Sequence, residues 1–199
     1  LLTQYAVINL FGFEQNNSPR SAAAYFDEIT PEVIRILKEE GKKEIFRVAS
    51  RRDTIMFLDR NHGMVERIFL LEGYTPLKLR RYLPPTRDLA TTYDLMNVKY
   101  RPSDIDLVGT VALRSSRNYY PRAFVVHDAV VIPGGNDNDI DAHLRRYDFD
   151  PRRTVVLDRD PGISLDSTTA APAVATIISY RVNRISLDVL TPKNGILVL

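Results

Sequence analysis

The chain has 199 residues with 44% apolar side chains and a net charge of +2, which indicates a globular protein with a substantial core. This composition excludes an intrinsically disordered chain, and the even spread of charge gives no support to nucleic-acid binding. The sequence contains no cysteine, so disulfides, thiolate zinc sites and a cysteine nucleophile are excluded as well.

The first predicted helix is TPEVIRILKEEG, residues 30–41. Thr30 is a favourable N-cap, and Pro31 suits the first helical position. One face of this helix is apolar and consists of Val33, Ile34 and Leu37. Gly41 is expected to close the helix in a left-handed conformation. The following segment, KKEIFRVAS, favours β structure and predicts a strand over residues 42–50.

A second short helix is predicted in the middle of the chain. It begins at Thr75 and Pro76 and ends before Pro84 and Pro85, because proline cannot continue a helix. The next structured segment, TTYDLMNVKY, predicts a helical turn that leads into a strand.

The residues after Tyr100 predict mostly sheet. Short runs rich in Val, Ile and Thr are separated by Pro, Gly, Asn or Asp; these runs are LVGTVALRSS, RAFVVHDAVVI, TVVLD, VATIISYRVNRISLDVL and GILVL. One helix over residues 138–147 interrupts them. Residues 182–190 alternate as in a strand with one wet face, with apolar Val182, Ile185, Leu187 and Val189.

These elements predict an α+β fold in which an N-terminal mixed α/β half precedes a mainly antiparallel β half with one helix. The whole chain, residues 1–199, is expected to form a single module, with 1–102 and 103–199 as candidate subdomains. The first residues read as neither a natural amino terminus nor a signal peptide, and the last lie within a predicted strand. We therefore expect a piece of a longer protein.

Two aspartates follow the predicted strand TVVL. Asp158 and Asp160 have the spacing with which sugar-nucleotide transferases hold a divalent metal. The alternative is a strand that ends in a turn before Pro161 and Gly162, where aspartate accepts hydrogen bonds from backbone amides. We favour the turn, because turn chemistry alone explains these residues.

A second acidic group resembles a calcium-binding loop only in part. Asp137, Asp139 and Asp141 have the alternate spacing of such a loop. However, Ala142 stands where the loop needs glycine, and Asp148 stands where it needs a bidentate glutamate. Acidic residues placed favourably at the amino end of a helix are the simpler interpretation.

The histidines indicate no catalytic site. His62, His127 and His143 show neither the spacing of metal ligands nor a serine in an elbow motif. His127 follows an apolar strand and is interpreted as a sheet residue with a satisfied ring. The segment IPGGNDND lacks the lysine and the spacing of a phosphate-binding loop. We therefore predict no catalytic residue, no metal ligand and no cofactor in this chain.

The segment EGYTPLKLRRY is the remaining candidate binding site. On a helix, Lys78 lies close to Arg81 and Tyr82, and Tyr74 and Arg80 are neighbours of this face. Such a face suits a phosphate, a lipid headgroup or a sugar. The simpler alternative is a solvated helix face on which the Tyr82 ring packs against the core.

Six segments of the chain form a recognisable series: EGYTPLKLRRY (72–82), YDLMNVKY (93–100), YPRAFVVHDAVVIPG (120–134), FDPRRTVVLD (149–158), ISYRVNRISLDV (178–189) and GILVL (195–199). In their order and approximate distances they resemble segments of bacterial membrane proteins of the YfhO type. These proteins are similar to the GT-C class of membrane glycosyltransferases, which use polyprenyl-phosphate sugars as donors. The resemblance covers most of the chain from Glu72 onward.

The resemblance implies that the chain is the soluble extracytoplasmic part of a multi-span protein of the bacterial cytoplasmic membrane, on its periplasmic or cell-surface side. The catalytic carboxylate of GT-C enzymes lies in a loop between early membrane helices, so this chain is expected to be non-catalytic. Its expected partners are its own transmembrane helices, the membrane surface, and an acceptor glycan or glycolipid. The alternative is a ligand-free assembly or interaction domain of a membrane transport or scaffold protein.

Overall fold

The computed structural model describes residues 31–52, 55–56, 58, 62–72, 84, 86–105, 111–134, 137–166 and 172–199. The helices within these ranges are α1 (Pro31–Gly41), α2 (His62–Glu66), α3 (Leu89–Leu95) and α4 (Asp137–Leu144). The strands are β1 (Arg47–Val48), β2 (Arg51–Arg52), β3 (Ile55–Met56), β4 (Val98–Ile105), β5 (Val111–Ser115), β6 (Phe124–Val126), β7 (Asp128–Val131), β8 (Thr154–Leu157), β9 (Val174–Arg181), β10 (Arg184–Leu190) and β11 (Ile196–Val198).

The strands of the described residues form several small sheets. β1, β4 and β5 form a three-stranded sheet in which β1 is parallel to β4 and β5 is antiparallel to it. The pairs β2–β3, β6–β11 and β9–β10 are antiparallel, whereas β7–β8 is parallel. This mixture of helices and mostly antiparallel strands confirms the predicted α+β class.

The parallel pair β7–β8 is the exception to the antiparallel pairing of the second half. Parallel neighbours need a long connection, commonly a helix, and α4 lies in the connection between these two strands. At the first pair of the register, Thr154 Oγ1 donates a hydrogen bond to Asp128 Oδ2 at 2.8 Å. The predicted helix over 138–147 is therefore confirmed, although α4 ends at Leu144.

A hydrophobic core lies beneath α1. This cluster consists of Leu37, Phe46, Val48, Leu58 and Ile68. Val33 and Ile34, which lie on the same face of α1 as Leu37, pack against it, so the predicted apolar face of this helix is confirmed. Burial of each large apolar side chain stabilises the fold by roughly 1.5–3 kcal/mol, which explains why this short helix docks at all.

The carboxyl end of α1 differs from the prediction. Gly41 is the last helical residue, but its φ is not positive. The Glu44 N–H donates to Glu40 O at 3.3 Å, so helical hydrogen bonding continues past the glycine. No left-handed residue is needed there. For the same reason the strand predicted over 42–50 is shorter than expected and begins only at Arg47.

The hairpin β9–β10 corrects the alternation predicted for residues 182–190. Val182 lies in the turn between the two strands and is 99% exposed, so it belongs to neither face. The register also shifts between Ser186 and Leu187, because β9 carries one extra residue, Ile178, at this point. Val189 is exposed rather than buried, at 38%.

Two predictions fall outside the described residues and stay predictions. They are the helix that begins at Thr75 and the N-cap Thr30.

The predicted helical turn that leads into a strand is confirmed by α3 and β4. Asp88 is the N-cap of α3, and its Oδ1 accepts a hydrogen bond from the Thr91 N–H at 2.7 Å.

The turn between α3 and β4 centres on Asn97. This residue is 2% exposed and has a φ of 61°, in the left-handed region that asparagine tolerates better than most residues. Asn97 Nδ2 donates a hydrogen bond to Tyr120 O at 2.8 Å. Its own backbone oxygen accepts one from the Arg47 N–H, also at 2.8 Å. Asn97 therefore joins α3, β1 and the segment that precedes β6.

Replacing Asn97 tests this role. We expect Asn97→Ala to lower the free energy of unfolding by about 2–4 kcal/mol, because Tyr120 O loses its buried donor and a left-handed alanine is strained. Asn97→Gly loses the same hydrogen bond without the strain, so it should cost about 1 kcal/mol less. Urea unfolding of the three proteins gives both values, and equal costs for the two variants would contradict the strain at this position.

Candidate functional site

The cationic face predicted from the sequence lies outside the described residues. Its five members, Tyr74, Lys78, Arg80, Arg81 and Tyr82, all fall within residues 73–83. Their role in binding stays a prediction. The candidate site described below comes from other parts of the chain.

Asp158 and Asp160 lie in a turn directly after β8. The Gly162 N–H donates a hydrogen bond to Asp160 Oδ1 at 2.8 Å, and Gly162 has a positive φ of 68°. This is the turn in which a short acidic side chain satisfies a backbone amide two residues later. The turn interpretation is therefore confirmed for Asp160. Asp158 is exposed and lies 3.7 Å from Arg159 Nε.

The other acidic and histidine residues take part in separate contacts. Asp137 and Asp139 lie in the first turn of α4, where a negative charge is favourable. His127 Nδ1 lies 2.9 Å from Asn194 O, but its Nε2 is buried without a hydrogen-bond partner among the described residues, so the prediction of a satisfied ring holds for one nitrogen only. The His143 ring packs edge-on against Phe149. Among the described residues, no group of three or more His, Asp or Glu side chains could hold a metal ion.

The strongest pKa shifts in the described residues surround Lys99. Its ammonium donates hydrogen bonds to Glu40 Oε2 at 2.7 Å and to Glu44 Oε1 at 2.6 Å. The Tyr119 hydroxyl donates to the second oxygen of Glu44. The ammonium also lies 5.1 Å from the centroid of the Phe46 ring. Lys99 thus links α1, β4 and the segment before β6 through charges and ring faces.

The contacts of this cluster move the pKa values of its members further from neutral pH. Hydrogen bonds from Lys43 and Lys99 lower the pKa of Glu40 to about 2. Burial and the bond to Glu44 raise the pKa of Tyr119 to about 12. Burial alone would lower the pKa of Lys99, but its hydrogen bonds to Glu40 and Glu44 outweigh burial and raise it. A proton-transfer catalyst needs a pKa near the working pH, so this cluster is a structural ion network.

A polar cleft lies beside the amino end of α3 and encloses about 420 Å³. One wall comes from α3 and the residue before its N-cap, the second from residues 118–120, and the third from residues 147–152. Aromatic, acidic, amide and guanidinium side chains all face it. The cleft is more polar than most small-molecule sites, so a ligand that fits it would bind chiefly through hydrogen bonds and aromatic contact.

Tyr147 stands at this cleft with its ring in solvent. The residue is 88% exposed, and the Arg87 guanidinium lies 5.7 Å from the ring centroid. Arg87 directly precedes the N-cap Asp88, which holds this part of the chain against α3. The cation covers only a small part of the ring, because most of the side chain stays exposed. The ring can therefore still contact a ligand.

Arg152 crosses the floor of the cleft. Its Nη2 donates a hydrogen bond to Asn118 O at 2.7 Å, and its guanidinium lies 5.0 Å from the centroid of the Tyr120 ring. Tyr120 is in turn held by Asn97, as described above. The guanidinium is therefore positioned by contacts within the protein before any ligand arrives.

Three carboxylates border the same cleft, those of Asp94, Asp148 and Asp150. Asp148 accepts two hydrogen bonds from Arg146, at 2.6 and 2.9 Å, and these lower the pKa of Asp148 to about 2. Asp150 Oδ1 accepts a hydrogen bond from the Arg152 N–H at 3.0 Å. Each carboxylate keeps lone pairs that can accept from a ligand hydroxyl.

A second cavity in the described residues lies between α1 and residues 66–69. It encloses about 400 Å³ and is lined mainly by apolar side chains, including Leu37, Phe46 and Phe69. The ion pair between Lys38 and Glu66 joins α1 to the opposite wall. Five charged residues also line this groove; they are Lys38, Lys42, Glu44, Glu66 and Arg67. Lys38 and Glu66 are paired with each other across it, and we regard the polar cleft, with its exposed aromatic ring, as the stronger candidate.

The sequence analysis did not find the polar cleft. Arg87, Asn118 and Tyr147 are far apart in the chain and belong to no motif, and only the fold brings them together. One local indication was present. The segment RRYDFDPRR, residues 145–153, alternates aromatic, acidic and basic residues around a proline, which is unusual for a plain connecting loop.

Comparisons of this chain with protein-family models, with curated proteins and with solved structures gave no significant match. Among the described residues, no helix has the length and apolar character needed to cross a membrane.

The ion network around Lys99 predicts a dependence of stability on pH. The pKa of Glu40 falls from 4.5 to about 2 on folding, so its stabilising contribution is complete above 4.5 and is lost as the pH falls through about 2. Lys99→Met removes one of the donors to Glu40 and one to Glu44, so the variant should lose less stability than the parent over this range.

The measurement is thermal unfolding at neutral pH and along an acid series. Lys99→Met should also be less stable at neutral pH, because two part-buried carboxylates lose a partner. Arg159→Met, which removes an exposed cation, is the control and should follow the parent. If the Lys99→Met and parent curves run parallel, the network does not contribute as described.

Proposed function

We propose that the chain is a non-catalytic extracytoplasmic domain of a polytopic bacterial membrane protein of the YfhO type, a glycosyltransferase-like protein that uses polyprenyl-phosphate sugars. In this proposal the domain packs on its own transmembrane helices and contacts the acceptor glycan, glycolipid or membrane surface. The catalytic carboxylate belongs to a loop between membrane helices, as the resemblance implies.

The observation that carries the proposal is the resemblance of six segments, in the same order and at about the same distances. In the structure, residues from these segments contact one another. Asn97 of YDLMNVKY bonds to Tyr120 of YPRAFVVHDAVVIPG, and Arg152 of FDPRRTVVLD lies over the ring of the same tyrosine. Arg122 Nη2 lies 3.3 Å from the hydroxyl of Tyr180, which belongs to ISYRVNRISLDV.

Strand pairing supports the same conclusion. GILVL forms β11 and pairs with β6, which lies in YPRAFVVHDAVVIPG. The following strand of that segment, β7, pairs with β8 of FDPRRTVVLD. Segments that are distant in sequence but adjacent in the fold have reason to recur together, because each one supplies the other's contact. The resembling segments are thus neighbours in this fold.

One observation favours the alternative, a ligand-free assembly domain of a membrane transport or scaffold protein. Val174 and Leu190 lie opposite each other in β9–β10 and are both exposed, as is Ile178 on β9. Exposed apolar side chains on one hairpin are typical of an interaction surface. The upstream gene sequence separates the two proposals: about ten membrane spans with an acidic residue in the first outer loop favour the glycosyltransferase-like protein, and a single anchor span favours the alternative.

The extracytoplasmic position can be tested with a single introduced cysteine, because this chain has none of its own. Val182→Cys places a thiol at a fully exposed turn. In intact cells that express the full-length protein, with cysteines elsewhere replaced, a membrane-impermeant maleimide should label this variant.

Val48→Cys is the matched control, since Val48 is 0% exposed and its thiol should react only after denaturation. Labelling of Val182→Cys that requires permeabilised cells would place the domain in the cytoplasm and would overturn the proposal.

A further inference from the structure

We propose that the polar cleft between α3 and residues 147–152 is a binding site for a neutral saccharide, with Tyr147 as the stacking platform. The inference rests on the proposed function only for the source of the sugar, which would be the acceptor glycan. The site itself is inferred from the cleft, its aromatic ring and its polar groups.

Tyr147 provides the apolar part of the site. An aromatic ring that is 88% exposed at the edge of a polar cleft leaves its free face in water, although burial of that face would be favourable. The C–H face of a pyranose ring is flat and apolar, so it can cover an aromatic face while its hydroxyls stay at the rim. The Arg87 guanidinium lies 5.7 Å from the ring centroid and restrains the ring.

The polar part of the site comes from groups that are already held in place. Asp148 is fixed by two bonds from Arg146, and Arg152 is fixed by Asn118 O and the Tyr120 ring. Carboxylates and guanidinium groups have paired donors or acceptors, which match two adjacent hydroxyls of a sugar. These contacts restrain the side chains, although Arg146 and Asp148 are exposed at 56% and 68%, so binding loses less conformational freedom than it would with unpaired side chains.

The charges of the cleft favour a neutral ligand. Two arginines, Arg87 and Arg152, and three aspartates, Asp94, Asp148 and Asp150, line the cleft. The charge of Asp148 is balanced by its ion pair with Arg146, so the positive and negative charges of the cleft are equal in number. A cleft without excess positive charge gives a phosphate or a nucleotide no net attraction. Both arginines are also engaged with aromatic rings, and an uncharged polyhydroxy ligand is the class that fits.

The test is saturation-transfer difference NMR on the 199-residue chain with maltotriose, cellotriose and chitotriose at millimolar concentration. We expect at least one of them to bind, with saturation passing from aromatic protons to the sugar. Tyr147→Ala should weaken binding by about tenfold or more, whereas Tyr147→Phe keeps the ring and should stay within about threefold of the parent.

Phe69→Leu is the control, because it removes an exposed aromatic ring outside the cleft and should leave the affinity unchanged. Circular dichroism and the melting temperature confirm that each variant is folded. The proposal is overturned if none of the three saccharides binds, or if Tyr147→Ala binds as well as the parent. It is also overturned if binding requires calcium ions, or if glucose 6-phosphate binds more tightly than the neutral sugars.

The failure of this inference is distinguishable from the failure of the proposed function. Maleimide labelling reports the side of the membrane and is independent of the cleft. Saccharide binding by the chain is measured without a membrane. If the domain is labelled in intact cells but binds no saccharide, the extracytoplasmic position stands and the cleft is not the glycan-binding site.

Discussion

The structure depends on one buried asparagine in a left-handed conformation. Asn97 lies in the turn between α3 and β4, and its side-chain amide and backbone oxygen bond to two other parts of the chain. Most residues would be strained at a φ of 61°, so this backbone conformation is unfavourable by itself. The cost is offset because Tyr120 O and the Arg47 N–H would otherwise be buried without partners, and each such group destabilises a fold by about 1–3 kcal/mol.

The same contacts also hold part of the polar cleft in place, through Tyr120. The Tyr120 N–H donates to Asp94 O at 2.9 Å, so the tyrosine backbone is held at both its N–H and its oxygen. Its ring then supports Arg152, which forms the floor of the cleft. The sheet β1–β4–β5 and the ligand-facing wall therefore share one anchor. A rigid anchor beneath loops is the usual way in which a fold positions a binding site.

Local features of the fold could be predicted from the sequence, and long-range ones could not. The apolar face of α1 and the α3–β4 turn follow from periodicity and capping, which neighbouring residues decide. The prediction of a left-handed Gly41 was wrong, because helical hydrogen bonds continue to Glu44. The prediction that Val182 lies in a strand was wrong, because this residue lies in a turn. The parallel pair β7–β8 and the cleft were not predictable, because both bring together segments that only the tertiary fold makes adjacent. Arg87 and Tyr147, for example, meet across a long stretch of chain with no shared motif.

Native-state hydrogen exchange of two backbone amides tests most directly whether Asn97 makes these regions one cooperative unit. The Arg47 N–H bonds to Asn97 O in the sheet, and the Tyr120 N–H bonds to Asp94 O beneath the cleft. If the anchor joins the two regions, both amides should open with the same free energy, within about 1 kcal/mol. An amide of Tyr120 that exchanges almost freely while that of Arg47 stays protected would contradict this account.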